Sequence, residues 1–490
     1  MSSPDVPAPD VPAPGADAAA RRIESRSAEF HKELGLRDLV LTQILYVVGL
    51  SWVGAAAKLG QSQLIFWLAA MLMFYLPQAL VVIHLSRRFP LEGGLYQWTK
   101  LGFNDGLAFM VAWNLWLYAI VLLGAFGIQV ANAIVYALGP NYGWLSNNRV
   151  FIYAVSGGMI AALIVVSIIG LGISKWVHNV GAILLLLAFG TLMVLPFVGM
   201  ARGTIKDYHP FAVAMPALSL MSINIGSKLA VGGLSGFEYV AVLAGETRNP
   251  RRTIGLSVMI AAPIIALMFI LGTSVILAFT DPSKVDLVGP IPQAFRAGFG
   301  TSGAVAFLVP FAVFAVTSRT VANSSVIFTA TTRFPLVAGW DRLLPPWFTK
   351  LHAKHKTPVN SILFVGGCAT VFAILGNAGV GEQEAFQLLD NAAGIFYGLT
   401  YLMLFAIPLF GFRSTAGDRK ASLGLRIAAF AGLVTTILYV VLCVFPIVDV
   451  VSTFAFAAKM GTLCIVANAL GAALYINAQR KRASATADAS

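Results

Sequence analysis

The sequence predicts an all-α integral membrane protein with about twelve transmembrane helices, and three observations lead there. Of 490 residues, 58% are hydrophobic and only 11% charged, with a mean hydropathy of +0.81. That is too little charge to clothe a water-soluble globule. The apolar residues fall in continuous runs such as 180–200, 254–279 and 427–447, each long enough to cross a hydrocarbon core of roughly 30 Å. The strands of an outer-membrane barrel would alternate instead. Finally, the basic residues gather at every second gap between runs, as expected of loops retained on the cytoplasmic side.

Taken in order, residues 1–35 are polar, carry the tandem repeat DVPAP at 5–9 and 10–14, and lack the apolar core of a signal peptide. They read as a disordered cytoplasmic tail. Spans follow at 38–59, 62–86, 107–138, 150–170, 177–200, 224–245, 254–279, 303–331, 359–376, 387–410, 425–447 and 451–476. Starting the chain inside gathers Lys32 and Arg37 before the first span, and Arg87, Arg88 and Lys100 between the second and third. On the same side fall Lys175, then Arg248, Arg251 and Arg252, then Arg333, Arg342, Lys350, Lys354 and Lys356. Arg413, Arg419, Lys420 and Arg426 join them, and the tail 477–490 adds Arg480, Lys481 and Arg482. An even number of spans returns the C-terminus to the side on which the chain began, so both termini are expected in the cytoplasm. The net charge of +12 is explained by these loops facing a lipid bilayer and requires no nucleic acid. Cys368, Cys443 and Cys464 all lie within spans, where small core residues are expected and not a disulfide.

The sixth span is irregular. It contains GGLSGFEYVAVLAGETRNPRR, in which Gly232, Gly233 and Gly236 cluster with Ser235 ahead of a carboxylate, Glu238. A lipid-exposed helix cannot leave backbone groups unpaired, so such a break belongs where protein or a water-filled cavity meets it. Close helix packing through small residues is an equal reading of the glycines alone. The carboxylate tips the balance, because an acid in mid-span faces a polar interior, a partner or a transport path. The first span has a matching irregularity in YVVGLSWVGAAAK, where Gly49, Ser51 and Gly54 interrupt the apolar run. Paired broken helices, each followed by about four further spans, point to a secondary transporter with its ligand near the membrane midplane.

Three segments carry a family resemblance: FPLEGGLYQWTKLGFNDGLAFMVAWNLWLY at 89–118, GFEYVAVLAGETRNPRRTI at 236–254, and RFPLVAGWDRLLPPWFTKLHAKHKTPVNSI at 333–362. In these the chain resembles the amino acid, polyamine and organocation transporter superfamily. The resemblance implies the leucine-transporter-type fold: two inverted five-helix repeats, here 36–200 and 201–411, followed by two peripheral helices within 412–476. It also implies a substrate site on the broken helices, at Gly49, Leu50 and Ser51 of the first and at Val231, Gly232, Gly233, Leu234 and Ser235 of the sixth. The family's Gly-x-Gly-Ile-Phe break stands here as Gly49, Leu50, Ser51, Trp52 and Val53. Its frequent gating aromatic on the sixth helix falls at Gly232, which implies a roomier site on that side. Glu238 matches an acidic position that senses protons in some members, with a structural hydrogen-bonding role as the alternative. Glu246, Asn249 and Pro250 match a cytoplasmic loop, with Pro250 opening the seventh helix.

Arg319 is the arginine set deep in an apolar span, in VPFAVFAVTSRTVANSSVIFTA at 309–330. By the resemblance, Arg319, Ala322 and Asn323 stand where sodium-coupled relatives of the wider fold bind sodium between helices one and eight. A guanidinium there would act as a built-in cation, donating to carbonyls of the first helix. The lysine that some proton-coupled members carry on helix five falls at Leu185, in keeping with that role having moved to Arg319. Pairing of Arg319 with an acid such as Asp390, or with a substrate carboxylate, is the competing reading.

No enzyme motif accompanies these features. Gly93 and Gly94 lack the lysine and hydroxyl of a phosphate-binding loop, and neither a G-x-S-x-G element nor an H-E-x-x-H helix occurs. His352 and His355 make a poor metal site without further ligands. The expected function is therefore secondary active transport of an amino acid or related small amine across the cytoplasmic membrane by alternating access, independent of sodium and run as proton symport or exchange, with no cofactor and no metal. A non-transporting sensor of the same fold is the alternative, and a channel is a further one.

Overall fold

The computed structural model describes residues 34–487 apart from 92, 170, 243, 245–246, 301–307, 338–343, 353–356 and 412–420. Almost all of the expected N-terminal tail, Glu246 and His355 lie outside the described residues. Among those described, the apolar runs form helices throughout, and the one β feature is an isolated bridge between Leu34 and Thr247.

The first span is two helices, α1 (Leu36–Val47) and α2 (Leu50–Ala57), bent by 48° where they meet. α3 (Gly60–Arg88) widens by one turn at Met71–Tyr75. A short α4 (Leu95–Gly102) leads into α5 (Asp105–Leu138), whose N-cap Asn104 accepts from the Leu107 amide at 2.9 Å. Then come α6 (Arg149–Ile169) and α7 (Leu171–Ala201). The sixth span is divided into α8 (Leu220–Ser227), a wide turn at Lys228–Gly233, and a single helical turn, α9 (Tyr239–Val242). α10 (Pro250–Phe279) opens on Pro250, as expected, after Asn249 in the left-handed region at φ 49°. The remaining helices are α11 (Pro290–Phe299), α12 (Leu308–Val337), α13 (Val359–Gly376), α14 (Glu382–Phe410), α15 (Leu423–Leu442) and α16 (Thr453–Ala487).

Among the described residues ten helices are long and apolar enough to cross a membrane, eleven if α1 and α2 count as one span. The sixth of the twelve expected spans is not among them, because its break divides it into pieces too short to qualify singly. The last helix also runs further than expected, since α16 continues to Ala487 through the basic segment. Large apolar side chains such as Leu72, Ile183, Phe311, Phe430 and Ile465 are exposed around the bundle, the surface that a hydrocarbon solvent favours. Inside, α14 packs along α5 and α12 against both α5 and α7. The broken first and sixth spans are thereby held in the interior with α12 and α14 beside them.

Candidate functional site

Breaking a helix frees backbone groups, and their partners define the site. Where α1 ends, Val48 leaves the helix and Gly49 is extended at φ −82° and ψ 130°. Two carbonyls at this break are taken by one side chain: Arg319 of α12 donates from Nη2 to Leu45 O at 3.0 Å and to Val48 O at 2.5 Å. Its residue is only 2% exposed, and it makes no ion pair with a carboxylate among the described residues. The guanidinium charge is therefore balanced chiefly by carbonyl dipoles, as a bound cation's would be.

The sixth span turns at Gly236, whose φ of +129° is a conformation that side chains rarely adopt. A Cβ there would also meet Tyr46 and Val47 of α1, so the two breaks touch at this point. The Gly236 amide donates to Tyr401 Oη at 2.7 Å, and Leu234 O accepts from Gln78 Nε2 at 3.2 Å. Tyr401 and Tyr397, one helical turn apart on α14, both donate to the Glu238 carboxylate. Glu238 is thus buried behind the tyrosines and does not line the central cavity. Tyr397 does line it, and its ring stacks on Tyr118 at 4.2 Å.

That cavity, of about 70 Å³, lies between the two breaks. Of the site residues expected from sequence, Gly49, Leu50, Ser51, Gly232, Ser235, Arg319 and Asn323 line it, whereas Val231, Gly233, Leu234 and Glu238 do not. Arg319 Nε and Asn323 Oδ1, one turn apart on α12, are buried without a hydrogen-bond partner among the described residues. A donor and an acceptor left unpaired this way cost about 1–3 kcal/mol each.

Gly232 does not leave the site roomier. A Cβ there would lie 2.4 Å from Cη2 of Trp52, so an indole from the first helix fills the space that a side chain on the sixth would have used. The acid Asp390 also lines the cavity, but its electrostatic partner is Lys228 and not Arg319. Lys228, in the wide turn of the sixth span, is 1% exposed and donates to Asn391 Oδ1 at 2.7 Å. Asn391 in turn donates to Cys443 O at 2.9 Å. Lys228 escaped the sequence reading, although the signal was the one that singled out Glu238, a charge in an apolar span. Leu185 is buried in the apolar core, as its side chain requires, and no metal-holding cluster of acidic, histidine or cysteine residues occurs among the described residues.

A protein-family model described as amino acid permease matches residues 39–467. The chain is 25% identical over 389 residues to an uncharacterised transporter of Legionella pneumophila, covering 77% of this chain and 81% of that one. It is 21% identical over 377 residues to a probable agmatine/putrescine antiporter of Lactococcus lactis, with coverage of 76% and 78%. With the b(0,+)-type amino acid transporter 1 of Oryctolagus cuniculus it shares 23% identity over 388 residues, with coverage of 78% and 77%.

Proposed function

The chain belongs to the amino acid permease family, and on that premise we propose that it is a secondary active transporter, moving an amino acid or related small amine across the cytoplasmic membrane by alternating access. The observation that carries this reading is the meeting of two broken spans at a cavity where Arg319 Nε and Asn323 Oδ1 lack partners. A ligand carboxylate suits the arginine and the amides opening α2, and a ligand ammonium suits Asp390 or Asn323. We assign helices of 36–200 and 201–411 to two inverted five-helix repeats with α15 and α16 peripheral, and both termini to the cytoplasm, in keeping with the paired breaks and the loop charges. No catalytic step belongs to this scheme.

Arg319 supports sodium independence, because its charge already sits against the carbonyls of α1. Counterflow of labelled substrate in proteoliposomes is the test. Exchange should proceed equally with potassium replacing sodium; strict sodium dependence would remove the built-in-cation role, and absence of counterflow for all amino acids and amines would remove the transport reading.

Glu238 is assigned to proton coupling, with Tyr397 as its link to the cavity. Substituting Glu238→Gln keeps a group that tyrosine hydroxyls can bond but removes the titration. Transport by the variant should lose the wild-type difference between acidic and neutral pH. An unchanged pH profile would leave Glu238 with a structural role only.

A further inference from the structure

Three glycines converge on one indole. A Cβ on Gly49 would lie 2.5 Å from Cδ1 of Trp52, one on Gly232 would lie 2.4 Å from Cη2, and one on Gly233 would lie 3.4 Å from Cγ. The pyrrole edge of Trp52 therefore rests on the break of the first span and its benzene edge on the break of the sixth. None of these three glycines has a positive φ, so their backbones would accept other residues; at Gly49 and Gly232 the reason for glycine is the room it leaves for the ring, whereas at Gly233 a Cβ would meet the ring at ordinary contact distance. Trp52 also lines the cavity. The remaining volume of about 70 Å³ is far below the roughly 300–1,000 Å³ of ordinary ligand pockets.

We propose that Trp52 is the size-selecting wall of the substrate cavity, a ring carried by the first helix that closes the gap between the two breaks and limits the substrate to a short amino acid or amine. This rests on the transport reading for its choice of ligand, but the closure itself is a property of the ring and the glycines. The flat indole face suits the small apolar or ammonium-bearing part of such a substrate. A side chain the size of leucine or larger would have to displace the ring, and Gly49 and Gly232 leave it flanked on both edges.

Two readouts test this, one of which needs no substrate. With Cys368, Cys443 and Cys464 replaced by alanine, a cysteine is introduced by Ser235→Cys, at a buried position lining the same cavity, and its modification by a small methanethiosulfonate is timed. Adding Trp52→Ala should accelerate modification at least about tenfold, a change of roughly 1.4 kcal/mol in the accessibility of the site. Adding Gly232→Trp to Trp52→Ala, which returns an indole from the opposite side, should restore slow modification. Equal rates with and without Trp52 would overturn the proposal. Trp52→Leu, which retains bulk for folding, is read in the same way should the alanine variant be unstable.

The second readout is thermal stabilisation of purified protein by glycine, alanine, leucine, phenylalanine, arginine and putrescine. The wild type should respond to the smallest of these only, and Trp52→Ala should respond to the bulkier ones as well. A wild-type response to phenylalanine equal to that for alanine would overturn the size limit. If no compound stabilises either protein, the assigned substrate class fails, and the size limit with it, while the modification rates still decide whether Trp52 closes the cavity.

Discussion

Replacing Arg319 with alanine is expected to reduce transport in proteoliposomes to below roughly a tenth of the wild-type rate, equivalent to more than about 1.4 kcal/mol in the limiting barrier. Leu45 O and Val48 O would both lose their donor. At about 1–3 kcal/mol for each buried acceptor left unpaired, the fold should lose on the order of 2–6 kcal/mol, visible as a lowered unfolding midpoint in detergent. Arg319→Lys retains the charge but not the planar fork. It should recover part of the stability and less of the transport, since an ammonium cannot reproduce the spread of donors that the guanidinium holds against the carbonyls of the first span. Wild-type transport by Arg319→Ala would show that the break of the first span needs no cation.

The second large effect is expected at Gly232. Leucine there would drive its Cβ into Cη2 and Cζ2 of Trp52, at 2.4 and 2.7 Å. Overpacking of this kind costs about 1–3 kcal/mol when the structure must absorb it, and here the part that must move is a wall of the cavity. Gly232→Leu should therefore abolish substrate binding, measured by thermal shift, while leaving a monodisperse protein. Gly367→Leu is the matched control, because a Cβ at Gly367 meets nothing within 4 Å; it should bind as the wild type does. Retained affinity in Gly232→Leu would place the substrate elsewhere.

Much of the site was legible because the membrane makes polarity conspicuous. Arg319 and Glu238 stood out as charges in apolar spans, and Gly49 and Gly232 as interruptions of runs that otherwise need none. Their geometry was less legible. The position of the Trp52 ring depends on the 48° bend between α1 and α2 and on glycines about 180 residues later, a relation no local pattern contains. Tyr397 and Tyr401 look like ordinary aromatics of an apolar helix until the fold sets them opposite Glu238. Asp390 is a natural partner for Arg319 by sequence, but the cation whose charge acts on it is Lys228, from the sixth span. The helices follow from hydropathy wherever they are continuous, and at the sixth span the same break that suggests a site also divides the helix.

The hydrogen bonds at the breaks also impose an order on biogenesis. Val48 O waits for an arginine 271 residues further along the chain, and the Gly236 amide for a tyrosine 165 residues further. A ribosome feeding this chain into the bilayer delivers the first span long before α12 exists. Unpaired backbone is not tolerated in lipid, so the newly inserted first span must remain a straight helix, or shelter against the insertion machinery, until the later half arrives. Without such shelter the bend is a late acquisition, made when the second half of the protein docks, and a chain truncated before α12 and released into lipid should hold a first helix without it.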